Sequence, residues 1–303
     1  MSKRLFLITV DCDLRVDATG LRQETLEQLL AVFDGSGVSG HVTWFLNEND
    51  FQLTRYHKSF LDEAIRRGDT LGLHDHLDKM KRPLNKETVK QYCQASKRRV
   101  EDFLKKRKVG RKILFHRNGC FLQEATVYAA LRELGYTVCS DIYPGMAGLD
   151  HHGNIAYDNR LIPEGIRPYR HDEENYSSYF TRIRVAPIRE GQGGWKPFVG
   201  HFLQVPVGYL SLKINFERVK RWLAISETVE FSCPNQTPGD FPSLFTWCFH
   251  PYEIVEEAGK RISREKVNLI SQQLEVLHNQ YQFTFVSLEQ AVKRCEAFLP
   301  NQT

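Results

Sequence analysis

The chain reads as an α/β fold in which a mainly parallel sheet curls into a barrel. Three observations predict it. Short apolar runs of strand length recur along the sequence. Stretches with helical apolar spacing lie between the early runs, and the runs themselves are apolar on consecutive residues, as in strands covered on both faces. Strand–helix alternation of this kind is met by a doubly wound sheet or by a barrel. About eight such runs in 303 residues favour the barrel.

The elements follow in order. Leu5–Val10 is the first run, and Leu21, Leu26, Leu29, Leu30 and Phe33 form the helical stripe after it. Val42–Phe45 is the second run, followed by a stripe of Phe60, Leu61, Ala64 and Ile65. Leu71–Leu73 is the third. The basic stretch Lys97–Lys112 reads as a solvated helix face and its exit loop; it also suits an anionic substrate carrier or a membrane surface. Ile113–Phe115 comes next, then a stripe of Val127, Ala130, Leu131 and Leu134 that Gly135 closes as a left-handed cap. Tyr136–Cys139, Phe202–Val205, Phe245–Phe249 and Phe283–Val286 complete the set. The rhythm breaks between about Pro144 and Gly200, where Gly, Pro, Tyr, Asn and Arg abound and Gly191-Gln192-Gly193-Gly194 forms a flexible tract. So long an irregular segment suits a lid or binding loop. Within it, Arg167, Pro168, Tyr169, Arg170 and His171 suit phosphate and sugar contacts. The expected organisation is one domain over 1–303 with an irregular insertion at about 144–200.

Composition narrows the function classes. With 41% hydrophobic and 26% charged residues the chain can bury a sizeable core. A net charge of +4 is too mild to argue for nucleic acid. Charges interrupt every apolar run short of the ~20 residues of a membrane span. Asp11 and Asp13 follow the first run at once, with no small-residue cleavage site, so a secretory signal is not expected. Seven cysteines without C-x-x-C spacing argue against a disulfide framework or zinc knuckle and fit a reducing cytoplasm.

In a parallel barrel, reactive groups gather at the C-terminal ends of strands. Four runs end in such groups: Asp11 and Asp13; His74, His76 and Asp78; His116 and Arg117; and His250. Alternate side chains of an extended strand share a side, so Asp11 and Asp13 point together. Two such carboxylates need a cation or a shared proton between them. One can bind a divalent metal while the other takes a proton from water. His74, His76 and Asp78 share the same two-residue spacing. With Asp13 they offer N and O ligands that suit Zn²⁺ and leave Fe²⁺, Co²⁺ and Mn²⁺ open.

These residues, in this order, resemble the motifs of the polysaccharide deacetylase superfamily (NodB homology, carbohydrate esterase family four). Thr9-Val10-Asp11-Cys12-Asp13 is similar to its first motif, T-F-D-D, and His41-Val42-Thr43-Trp44-Phe45 to its A-T-F-F strand. Thr70-Leu71-Gly72-Leu73-His74 resembles E-I-G-x-H. Phe115-His116-Arg117-Asn118-Gly119 with Leu134-Gly135-Tyr136 resembles F-R-x-x-G and L-G-Y, and Trp247-Cys248-Phe249-His250-Pro251 the late strand ending in H-P. The sequence departs in three places. Cys12 separates the two acids, Asp78 stands where the usual second histidine would, and the Asp–Trp motif has no counterpart.

The resemblance implies a distorted (β/α) barrel of about seven parallel strands and a divalent metal held by an Asp and two His. It implies metal-assisted removal of an N- or O-acetyl group from a sugar or glycoconjugate. Carried over, Asp11 is the general base, Asp13 and His74 are metal ligands, Arg117 orients the base and His250 is the general acid. Asp78 is the expected third ligand, with His76 as its substitute. Two alternatives stay open: a non-catalytic carbohydrate-binding relative, and a deformylase or other amide hydrolase on the same barrel. A cytoplasmic location favours a precursor in cell-surface polysaccharide synthesis as substrate.

Overall fold

The computed structural model describes residues 4–13, 21–47, 55–160, 162, 164–165, 168–171, 201–228, 242–256 and 261–296. Arg167 and the tract Gly191-Gln192-Gly193-Gly194 lie outside the described residues. The strands are β1 (Arg4–Cys12), β2 (Val42–Asn47), β3 (Thr70–Asp75), β4 (Phe115–Asn118), β5 (Val138–Cys139) and β6 (Ala147–Leu149), then β7 (Ile155–Asp158), β8 (Tyr169–His171), β9 (Phe202–Gln204), β10 (Tyr209–Leu210), β11 (Ser243–Phe249) and β12 (Thr284–Val286). The helices are α1 (Leu21–Gly35), α2 (Arg55–Arg67), α3 (Lys86–Lys106), α4 (Ala125–Glu133), α5 (Phe216–Thr228), α6 (Arg264–Asn279) and α7 (Leu288–Glu296). Among the described residues, no helix is long and apolar enough to cross a membrane.

The sheet runs β10-β11-β1-β2-β3-β4-β5-β9-β8, with β12 beside Leu5–Leu7 of β1. Every pairing from β10 to β9 is parallel, and only β8 joins antiparallel. Residues Val205–Ser211 then span the two ends of the curl. Val205 N donates to Cys139 O at 2.9 Å and Val207 N to Ile142 O at 2.7 Å; Gly208 N donates to Thr246 O at 2.8 Å. A Cβ at Gly208 would stand 2.9 Å from the Phe245 ring, so the crossing requires glycine. The fold is thus the distorted (β/α) barrel that the apolar runs foretell.

The pleat of β1 divides its side chains between two layers. Phe6, Ile8, Val10 and Cys12 join the cluster that packs the sheet against the helices. Leu5 and Leu7 face the other way, among Phe45, Phe115, Val138, Leu203 and Leu244. Leu288, Ala291 and Val292 of α7 belong to this second cluster, which fills one end of the barrel with hydrocarbon. Thr9 and Asp11 continue the same row, so the interior turns polar only towards the strands' C-terminal ends.

Two regions differ from the apolar-run reading. Strand β4 begins at Phe115 and carries His116 and Arg117 within it, instead of ending before them. Arg117 therefore faces the barrel interior, and His116 faces the helices. There His116 Nε2 pairs with Asp75 Oδ2 at 3.0 Å, and Ser96 of α3 donates to Asp75 Oδ1 at 3.0 Å. The strand stops where Cys120 and Phe121 adopt left-handed φ values of 49° and 52°. The second difference is the β6–β7 hairpin, ordered structure inside the stretch without rhythm.

Asp69 shows how the end remote from the strand tips is fastened. Its buried carboxylate accepts from Gly40 N at 2.8 Å and from the Trp44 indole N–H at 2.9 Å, tying β2 to the start of β3. Asp69→Ala leaves both donors buried without an acceptor, a loss of about 2 kcal/mol or more. Urea unfolding should show the lower midpoint, while metal content stays at the wild-type level.

Candidate active site

Asp11 sits on the inward face near the end of β1, 2% exposed. Arg117, fully buried on β4, meets it through Nη1 at 2.7 Å. The same nitrogen donates to Thr9 Oγ1 at 2.9 Å and contacts Cys248 Sγ at 3.0 Å. Nε and Nη2 donate to the carbonyl and hydroxyl of Ser140 at 3.0 and 2.8 Å, and the Phe45 ring lies 4.3 Å from the guanidinium carbon. The Cys248 thiol lies 3.3 Å from the other Asp11 oxygen and donates to it. Burial alone would raise the Asp11 pKa. Arg117, His74 and His250 outweigh burial and hold the carboxyl below its usual range, so it is ionised.

One turn further, Asp13 N donates to Asp11 O at 2.7 Å and brings the second carboxylate to the mouth. Asn47 at the end of β2 donates to Asp13 Oδ1. Oδ2 faces two imidazoles, with His76 Nε2 at 3.0 Å and His74 Nε2 at 3.6 Å. Both rings are aimed from behind. His74 Nδ1 lies 3.1 Å from Arg117 O, which can only accept, so Nδ1 carries a proton and Nε2 is the atom left to face Asp13. His76 Nδ1 donates to Asp78 Oδ1 at 3.0 Å. The ligand atoms of Asp13, His74 and His76 all lie within 4.8 Å of one another.

This set fits a divalent ion. Zinc ligands at about 2.0–2.2 Å in a tetrahedron stand roughly 3.3–3.5 Å apart, close to the spacing here. Imidazoles whose second nitrogen donates to a carbonyl or carboxylate are the usual form of metal-ligating histidine. Burial lowers the His76 pKa, but its bonds to Asp13 and Asp78 outweigh burial and lift it to about 9. Burial likewise works against Asp13, yet His74 and His76 hold its carboxyl well below the usual range.

Asp78, placed by the short turn Leu77–Lys79, stands behind His76 and not beside Asp13. It groups with His76 and His151, the latter 3.1 Å from Asp78 Oδ2. Gly119 makes room for the pair: a Cβ there would fall 2.3 Å from His76 Nδ1 and 2.5 Å from Asp78 Oδ1. His250 follows β11 on another side of the mouth. Its Nδ1 lies 3.2 Å from Glu253 Oε1 and its Nε2 3.8 Å from Asp13 Oδ2. Burial raises the Glu253 pKa, but bonds from His250 and from backbone N–H groups hold that carboxylate ionised.

A cleft of about 660 Å³ takes in Asp11, Asp13, His74, His76 and His250 together. The sequence reading names all five as well as Arg117 and Asp78, but gives no role to Asn47, Ser140, Cys248, Glu253 or His151. Glu253 alone left a trace, three residues after His250 at the spacing of a 3-10 turn. Arg170 and His171 lie in β8; His171 is buried against Gln204 and Arg170 pairs with Glu296. Cys120 lines the cleft too, but burial, with Asp78 beside it, pushes its thiol up to about 12.

No protein-family model matches the chain, and no curated protein matches it. Solved structures do. A candidate polysaccharide deacetylase from Mycobacterium smegmatis is similar at a TM-score of 0.54 and 12% identity, over 100% of this chain and 93% of that one. A 4-alpha-glucanotransferase from Thermococcus litoralis is similar at a TM-score of 0.55 and 11% identity, over 97% of this chain and 40% of that one. Both likenesses are of fold: a distorted (β/α) barrel runs the length of the described chain.

Two outcomes follow from the geometry. Gly119→Ala displaces the His76–Asp78 pair and should weaken metal binding about 10- to 100-fold by equilibrium dialysis, the usual cost of losing an outer support. At pH 8 a thiol with a pKa of about 12 is almost wholly protonated. Cys120 should therefore alkylate with iodoacetamide at least about 100-fold more slowly than a free thiol of ordinary pKa. Peptide mass spectrometry reads the rate; a fast Cys120 would instead mark a reactive nucleophile.

Proposed function

We infer that the chain is a metal-dependent hydrolase of the polysaccharide deacetylase type, removing an N- or O-acetyl group from a sugar or glycoconjugate. One observation carries the reading. Two carboxylates two residues apart are held in different states of engagement, Asp11 against a buried arginine and Asp13 against two imidazoles, inside one cleft with a third imidazole. The motif resemblance and the fold of the Mycobacterium smegmatis structure agree with it.

The proposed ligands are Asp13, His74 and His76, with Asp78 supporting His76. A zinc-type ion bound there supplies Lewis acidity towards an acyl carbonyl and acidifies water. Asp11 takes the proton of the attacking water. Arg117 and the Cys248 thiol fix the two Asp11 oxygens, so the carboxylate meets that water ionised and in one orientation. His250 donates through Nε2 to the leaving nitrogen or oxygen, so the product leaves neutral. Its Nδ1–H is held by Glu253, which fixes the ring, as the carboxylate does in hydrolase triads.

The test uses a panel of N-acetylated, O-acetylated and N-formylated amino sugars. Chelation should abolish turnover and Zn²⁺ restore it, and the panel identifies the bond. Asp11→Asn and His250→Ala should each lower kcat by about 10²–10⁴ with metal content unchanged. Asp13→Ala should lose the metal. Full activity in chelated, metal-free protein overturns the reading. Metal loss in Asp11→Asn exchanges the roles of the two acids.

A further inference from the structure

We propose that Asp78 and His151 hold a second divalent cation of the zinc type, with Nδ1 of His76 as their third ligand. The proposal starts from a buried carboxylate oxygen whose charged neighbour is not hydrogen-bonded to it. Asp78 Oδ2 is buried and accepts no hydrogen bond. An ionised carboxylate oxygen out of water normally has several donors, and leaving it bare is costly.

His151 Nε2 stands 3.1 Å from that oxygen, and the Cys120 thiol lies beside the same carboxylate. The distance is that of a hydrogen bond, yet none forms. Two ligands of one cation behave this way, since both aim at a shared third point and not at each other. Ligand atoms of His76, Asp78 and His151 all lie within 4.8 Å of one another. Two imidazoles and one carboxylate suit zinc over magnesium or calcium.

His151 is not on a slack loop. It occupies the β6–β7 turn, where Asp150 Oδ1 accepts from His152 N at 2.9 Å and Asn154 N at 2.8 Å. Arg82 Nε pairs with Asp150 Oδ2 at 3.1 Å and Arg82 Nη1 donates to Ile155 O at 3.2 Å, fastening the hairpin to the loop after β3. The His151 side chain is 50% exposed, which leaves a path for an ion from solvent. On binding, two metal–nitrogen bonds and one metal–oxygen bond form, and the His76 Nδ1 proton leaves to solvent. The site is weaker than the Asp13 site because it must displace that proton and uses an exposed ligand. The imidazole of His76 then links the two cations.

The proposal does not need the reaction inferred above, and zinc titration tests it without a substrate. Chelator-stripped full-length protein is titrated with ZnCl₂ by calorimetry, with elemental analysis of the saturated protein. Wild type should bind two equivalents in a tight and a weaker step. His151→Ala and His151→Gln should each lose only the weaker step, and His152→Ala should keep both. A single step in wild type, a weaker step that survives both His151 variants, or its loss in His152→Ala overturns the proposal. Asp13→Ala should abolish the tight step. If both steps persist there, the ligand assignment under Proposed function fails while the second site stands.

Discussion

A guanidinium with no exposed surface lies inside the barrel, and the rest of the site is arranged around it. Burying Arg117 unpaired would cost far more than the fold can spare. Asp11, Thr9, Ser140, Cys248 and the Phe45 ring together replace its water. Removing one member of such a pair typically costs about 3–5 kcal/mol, because the other charge stays behind. The arrangement fixes more than a charge balance. Through its carbonyl, Arg117 also sets the ring of His74, so one strand residue holds the Asp11 carboxylate and the His74 imidazole at once.

The same logic repeats outward. Each of the three imidazoles that face Asp13 has an acceptor behind it: a carbonyl for His74, Asp78 for His76 and Glu253 for His250. Every ring therefore presents Nε2 to the space around Asp13. The supports come from β4, from the turn after β3 and from the turn after β11, which makes the geometry a property of the barrel and not of any one loop. Gly119 belongs to this scheme although it carries no chemistry, since any side chain there would occupy the volume of the His76–Asp78 pair.

How much of this could be read from the sequence depended on whether a feature is local. The strands β1, β2, β3 and β11 declare themselves as apolar runs because both faces are buried. Asp11 follows from the strand period, whereas Asp13 reaches the same mouth through the turn that its N–H closes on Asp11 O. The choice between His76 and Asp78 does not follow from the period either. It depends on the chain leaving the strand after Asp75 and entering a 3-10 turn, which swings His76 towards Asp13 and puts Asp78 behind it. Asn47, Ser140 and Cys248 were invisible for another reason. Each is an ordinary polar or small residue whose role comes from a neighbour 23 or more positions away. The β6–β7 hairpin hid because short strands with Gly and Asn between them have no apolar period.

The hydrocarbon plug formed by the inward leucines and phenylalanines with α7 makes the barrel a blind well rather than a tunnel. A tunnel selects ligands by threading, so it favours free chain ends and processive travel. A well takes in a small molecule or a protruding substituent and returns it through the same opening.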